Sequence, residues 1–199
     1  MFLLRRLVPL FACFLGSPHE SGADEQAQKY SLTALEWKRF GKLDYQGGLL
    51  LTDTGALLGA VFRVRNNSKD AALILTKTAD ALPFDAIVID DSDGRKLTPT
   101  KSPVIKRTKG RANRTEWKIP PQATEDYFIP VRELVDPAFN PESGRKFHVE
   151  VSPALLPKDT PRTIDYPLES FQFTGVTISR GGLAVDAHKA FDEALKTKR

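Results

Sequence analysis

The sequence has few of the residues that most often carry chemistry. It holds one cysteine, Cys13, so no intrachain disulfide can form and no cysteine-rich zinc site can be built. Its three histidines, His19, His148 and His188, are scattered, which leaves metal chemistry to carboxylates. No Gly-x-Ser-x-Gly elbow frames a serine, neither His148 nor His188 opens an HExxH pair, and no glycine-rich loop has phosphate-binding spacing. Charge of one sign is also scarce. The 29 Lys and Arg against 25 Asp and Glu leave a net +4, too small an excess to argue for nucleic acid. These absences point away from an enzyme and away from a cofactor.

What is present suits one folded domain with tails. The chain has 199 residues, 41% hydrophobic and 27% charged, enough to fill a core and clothe it. Its start, MFLLRRLVPLFACFLGSPHESGADE, has a basic pair at Arg5 and Arg6. An apolar run from Leu7 to Leu15 follows, interrupted by Pro9, and then small and polar residues. This is the pattern of a secretory signal peptide over residues 1–23, too short to span a bilayer; the alternative is a frayed terminus or a misplaced start. Ser21 and Ala23 offer a cleavage site before Asp24, and a cut after Gly16 is also open. Leu10-Phe11-Ala12-Cys13 resembles a bacterial lipoprotein box, and membrane association is expected only if Cys13 is lipidated. The expected location is periplasmic or secreted.

Residues 24–45 read as a lead-in, with residues 32–40 open between a helix and a first strand; Gly47-Gly48 reads as a turn. From there the period is two. In 57–65, LLGAVFRVR, Phe62 and Val64 alternate with Val61 and Arg63, which puts Phe62 and Val64 in the core and Arg63 and Arg65 in solvent. Asn66-Asn67-Ser68-Lys69 supplies a turn, and Ala72 to Thr76 reads as the partner strand. Phe84 to Asp90 is a further strand, closed by Asp91-Ser92-Asp93-Gly94 with Gly94 at positive φ. Strands are also expected at Thr115–Ile119, at Asp126–Val131 with Pro130 on an edge or bulge, at Lys146–Ser152 and at Phe171–Ile178 with a bend at Gly175. Phe147, Val149 and Val151 share one face, His148 and Glu150 the other. Residues 153–163 hold three prolines and read as a connector. Residues 183–198 read as one helix with Ala184, Ala187, Phe191 and Leu195 on its apolar stripe. The pattern predicts a mainly β protein: an antiparallel immunoglobulin-like β-sandwich over residues 46–180 with a short C-terminal helix over 181–199.

The order of features in residues 57–152 resembles a class of extracytoplasmic immunoglobulin-like modules. Its carriers are Val61-Phe62-Arg63-Val64-Arg65-Asn66-Asn67-Ser68, Asp93-Gly94, Pro120-Pro121-Gln122-Ala123-Thr124, and Gly144 with Phe147 to Val151. Many such modules carry glycine where this chain has Gln122. The same order is similar, more faintly, to the pro-region of deuterolysin-type metalloproteases. Without an HExxH helix, that resemblance implies a stand-alone or inhibitory domain and not the peptidase.

The strongest local anomaly is a basic run. Lys101, Lys106, Arg107, Lys109, Arg111, Arg114 and Lys118 stand against Glu116 alone, with Trp117 among them. Such a cluster fits an acidic polysaccharide, or an anionic surface, with Trp117 stacking on a sugar if exposed; a solvated hairpin with Trp117 in the core is the alternative. Asp85, Asp90, Asp91 and Asp93 form an acidic cluster. It fails the calcium-loop pattern, because Arg95 and Lys101 stand where glycine and glutamate are needed. Asn66-Asn67-Ser68 and Asn113-Arg114-Thr115 are glycosylation sequons in expected turns, where their acceptors could be reached. The reading is an exported, non-catalytic binding or structural module whose partner is a protein or an acidic polysaccharide. Alternatives are an inhibitor or pro-region-like partner of an exported protease, with loop 136–144 in its cleft, and a hydrolase with a noncanonical site.

Overall fold

A computed structural model of the chain describes residues 30–76, 82–97, 116–141, 144–157 and 168–197. The leader with Cys13, the cations from Lys101 to Arg114, and Asn113 lie outside these residues. The described chain is mainly β, with antiparallel sheets and a few short helices. In order, it runs β1 (Tyr30–Ala34), β2 (Lys38–Phe40), β3 (Leu43–Thr52), β4 (Leu57–Asn66), β5 (Ala72–Thr76), β6 (Phe84–Asp90), β7 (Glu116–Ile119), β8 (Thr124–Pro130), α1 (Val131–Leu134), β9 (Phe147–Pro153), β10 (Leu155–Pro157), β11 (Phe171–Val176), α2 (Arg180–Ala184) and α3 (Ala187–Thr197).

Three sheets share the core. The largest has the order β1-β3-β4-β8, with β2 also on β3; the others are β10-β5-β7 and β11-β9-β6. The ambiguity over residues 32–40 resolves as strand: β1 pairs with the second half of β3 and β2 with the first. Alternation buries one face of each strand. Phe62, Val64, Phe147, Val149 and Val151 all lie fully buried in one cluster with Tyr45, Phe84 and Phe171. Phe62 stacks on Phe84 at 5.3 Å between centroids, and Tyr45 meets Phe171 edge-on at 5.7 Å.

Four local expectations need correction. Gly47 and Gly48 lie inside β3 and form no turn. They are glycines because neighbours come too close: a Cβ on Gly47 would stand 2.6 Å from the Phe171 ring, and one on Gly48 2.7 Å from the Thr33 carbonyl oxygen. Second, β5 does not pair with β4; it leaves for the small sheet and pairs with β7 and β10. The connector 153–163 accordingly contains a strand, β10. Third, Val61 shares its face with Arg63 yet is fully buried, because a second cluster covers part of that face. There α3 lays Ala187, Ala190, Phe191 and Ala194 over Tyr30, Leu32, Leu50, Leu58, Val61 and Phe128. Phe191 stacks on Phe128 at 4.7 Å. Fourth, the terminal helix is two helices. Asp186 interrupts it and caps α3, its carboxylate accepting from the Lys189 N–H at 3.3 Å, and Ser179 caps α2. Ala184 is exposed, so the buried stripe starts at Ala187.

The turn expectations hold at several points. Gly94 has φ +69°, and Gly175 has φ +69° where the β9–β11 register shifts. Pro130 ends β8, an edge strand, where its missing N–H breaks no ladder.

Candidate functional site

Of the expected contact residues, Trp117 and Lys118 are described. β7 turns them to opposite faces. Lys118 is exposed; Trp117 is half-buried against the main core, edge-on to Tyr127 at 5.6 Å and 89°. Its buried indole N–H has no acceptor among the described residues. Burial pushes the Tyr127 phenol up to about 12, helped by the charges of Glu125 and Asp126.

The two described histidines lie on different elements, His148 on β9 and His188 on α3. His188 is exposed on α3 and meets Phe128 edge-on. His148 lies on the outward face of β9 with Glu150 and Ser152, as its period requires. Ser152, however, hydrogen-bonds Glu150 at 3.0 Å and Ser170 at 2.8 Å, not a histidine. The start of loop 136–144 is anchored: Asp136 accepts from the Ala138 N–H, and Phe139 packs edge-on against Phe147 at 5.7 Å.

A different surface assembles from residues that the sequence reading left in solvent. α3 covers only part of the outer face of the five-stranded sheet. On the open part, register sets Arg39, Asp44, Arg65 and Thr124 in one row across four strands, and Gln46, Arg63 and Asp126 in the next. Arg63 and Arg65, expected in solvent, are instead half-buried and paired. Arg63 bonds Asp126 at 2.6 Å, and Arg65 bonds Asp44 at 2.7 Å. Trp37, in the kink between β1 and β2, lies over both guanidinium groups, 4.5 Å from Arg65 and 5.7 Å from Arg63. Gln46 donates to the Leu35 carbonyl at 2.6 Å, and the Leu35 N–H donates to Gly47, so the kink is pinned to the sheet. Beside Trp37, Leu35 is the one large hydrophobic residue exposed among those described, at 40%. Burial pushes the Asp44 carboxyl up, but hydrogen bonds from Arg65 and Asn67 and the charges of Arg65 and Arg39 hold it below the usual carboxylate range. In the sequence this surface shows only as polar residues at alternate positions of 44–46 and 63–65 and as the polar run Thr124-Glu125-Asp126. That pattern does not distinguish a site from an ordinary solvated face.

The rim of this surface is a set of cross-braced turns. Asn66 is fully buried at the end of β4. Its amide donates to the carbonyls of Asp70 at 2.7 Å, Pro120 at 3.1 Å and Ile119 at 3.2 Å. Gln122, at φ +56°, takes the left-handed conformation that favours glycine, and its amide donates to the carbonyls of Asn67 and Ser68. Asn67 donates to Asp44, linking rim and rows. The burial of Asn66 corrects the expectation that this sequon is accessible in its turn.

No family model matches this chain, and no curated protein matches it. Among the described residues, no helix is long and apolar enough to cross a membrane. The geometry of the open face therefore carries the functional reading.

Proposed function

We propose that this chain is a non-catalytic binding module of the cell envelope or exterior, with its sheets in an immunoglobulin-like arrangement. It meets an acidic polysaccharide through the open face around Trp37 and through the basic run 101–118. The observation that carries the reading is the placement of Trp37 over Arg63 and Arg65 on a pinned kink beside the exposed Leu35. Tryptophan and arginine dominate binding surfaces because each buries a large area while keeping a polar handle. Three arginines stand against two carboxylates in the two rows, a surplus that the exposed Glu36 of the kink offsets, so any positive excess comes from the rim. Lys42 and Lys69 are exposed on the turns of its rim. The glycine-like backbone of Gln122 after Pro120-Pro121 supports the immunoglobulin-like arrangement, since modules of that class often carry glycine there. The leader pattern supports export.

Chromatography on immobilised heparin, at low and at high salt, tests the reading. Retention that falls steeply with salt is expected, because the contact releases counterions. It should weaken in Trp37→Ala and Arg65→Ala. Absent or salt-independent retention removes the polysaccharide partner. Retention unchanged in both variants removes the Trp37 face.

A further inference from the structure

We propose that Asn66 is a glycan acceptor only in the unfolded chain, and that its modification and this fold exclude one another. The sequon Asn66-Asn67-Ser68 is complete in the sequence. In the fold, both of its chemical handles are in use. The two Nδ2 hydrogens of Asn66 are shared among three carbonyls, those of Asp70, Ile119 and Pro120. Its Oδ1 accepts from the Ser68 N–H at 3.0 Å and the Ser68 hydroxyl at 2.7 Å. The Ser68 hydroxyl, which the sequon requires, also lies 2.7 Å from the Asp70 carbonyl.

Transfer from a lipid-pyrophosphate-linked oligosaccharide would form a bond between Nδ2 and the anomeric carbon. The bond from that carbon to the pyrophosphate oxygen would break, and the lipid pyrophosphate would leave. Nδ2 would give up one proton. The product keeps a single N–H where three carbonyls now converge. A sugar ring would also have to occupy space that Ile119 and Pro120 fill around a side chain with no solvent exposure. The β4–β5 and β7–β8 turns could not then stay joined. A buried polar group that loses its partners costs more than the bonds it made, because water cannot replace them.

The test uses the full chain with Asn113→Gln, so that Asn66-Asn67-Ser68 is the single sequon, secreted behind a host leader from a glycosylating eukaryotic cell. Because the leader is supplied, failure of the export reading does not affect the result. A second chain adds Phe62→Asp, which puts a charge in the main core and prevents folding. Each product is separated by lectin, mapped by peptide mass and tested for protease resistance. The unfoldable chain is expected to carry the glycan at Asn66. Protease-resistant protein from the foldable chain is expected to be unmodified there, and any glycan-bearing fraction to be protease-sensitive. A protease-resistant, cooperatively melting fraction with a glycan on Asn66 overturns the exclusion. An unmodified unfoldable chain overturns the claim that Asn66 is an acceptor at all.

Discussion

Asn66 and Asp90 do the same work at the ends of two strands in different sheets. Each is fully buried, and each is followed two residues later by serine. The Oδ1 of each accepts from that serine's N–H at 3.0 Å and from its hydroxyl at 2.7 Å. They differ at the other side-chain atom. The Asn66 amide donates to three carbonyls, whereas the second Asp90 oxygen faces the Arg145 guanidinium. Chemistry matches position: a donor where carbonyls converge, an anion where a cation arrives.

Exchanging the two residue types should therefore hurt unequally. Asn66→Asp turns a carboxylate onto three carbonyl oxygens. It should lower stability more than Asn66→Ala, which orphans those acceptors at about 1–3 kcal/mol for a buried group. Asp90→Asn keeps the serine bonds and should be the mildest of the three. Urea midpoints rank them, and Asp90→Asn falling below Asn66→Asp would refute the account.

Acid should weaken the fold through its low carboxylates. The Ser92 hydroxyl holds the Asp90 carboxyl below its usual range, aided by the Ser92 N–H and Arg145; Lys38 does the same for Glu169. Asp44 is also lowered. Each binds its proton more weakly folded than unfolded. Their contribution is therefore complete above the unfolded value, ~4 for carboxylates, and is lost as pH falls through the lower folded values. Urea midpoints measured from neutral pH downward should drop in that window, and less steeply in Asp90→Asn. An acid limb identical in the variant would exclude Asp90.

Tyr127 should define the alkaline limb. Its folded value of about 12 lies above the unfolded ~10. Its contribution is thus present below the unfolded value and lost as pH rises from there through about 12. In a tyrosinate absorbance titration, the Tyr127 phenol should ionise late together with that of Tyr45, which burial also raises, and Tyr127→Phe should remove its share of the late step. Full ionisation near pH 10 with the fold intact would contradict the burial.

The glycines of β3 should be intolerant of a single methyl. Gly47→Ala drives a Cβ into Phe171 and should cost about 1–3 kcal/mol, as overpacking does. At about 2–4 °C per kcal/mol for a chain of this size, thermal melting reads it. Gly181→Ala, whose Cβ would meet nothing closer than 3.9 Å, should be neutral or slightly stabilising. Equal effects at the two sites would sink the close-approach argument.

Gln122 should reveal how its strained backbone is offset. Gln122→Gly relieves a left-handed cost of about 1–2 kcal/mol, but loses two exposed hydrogen bonds and adds about 0.5–1 kcal/mol of unfolded-chain freedom. It should lie within about 1 kcal/mol of wild type. Gln122→Ala keeps the strain, loses the bonds and should be the less stable. Melting temperatures in the opposite order would show that the left-handed backbone at residue 122 carries no such strain.

Much was legible because the signals were local. The boundaries of β5 and β6, Ala72–Thr76 and Phe84–Asp90, follow from short apolar runs bounded by turn residues. Alternation gives the burial of Phe62, Val64, Phe147, Val149 and Val151, and the local glycines give the positive φ at Gly94 and the bend at Gly175. Period two says which side chains share a face, and Asp-Gly needs no distant partner to turn.

Whatever depended on residues far away in the chain was decided only by tertiary structure. Gly47-Gly48 carries a turn's composition, yet Phe171 and Thr33 make it a strand by coming too close for a side chain. Val61 and Arg63 share one face of β4, but only the docking of α3 determines that the first is covered and the second is not. The Asn66 sequon is an open acceptor in the sequence and a buried brace in the fold. The surface around Trp37 exists only because register brings Arg39, Asp44, Arg65, Gln46, Arg63 and Asp126 into two rows. Alternation assigns a side chain to a face; what lies across that face is set by the packing of the whole chain.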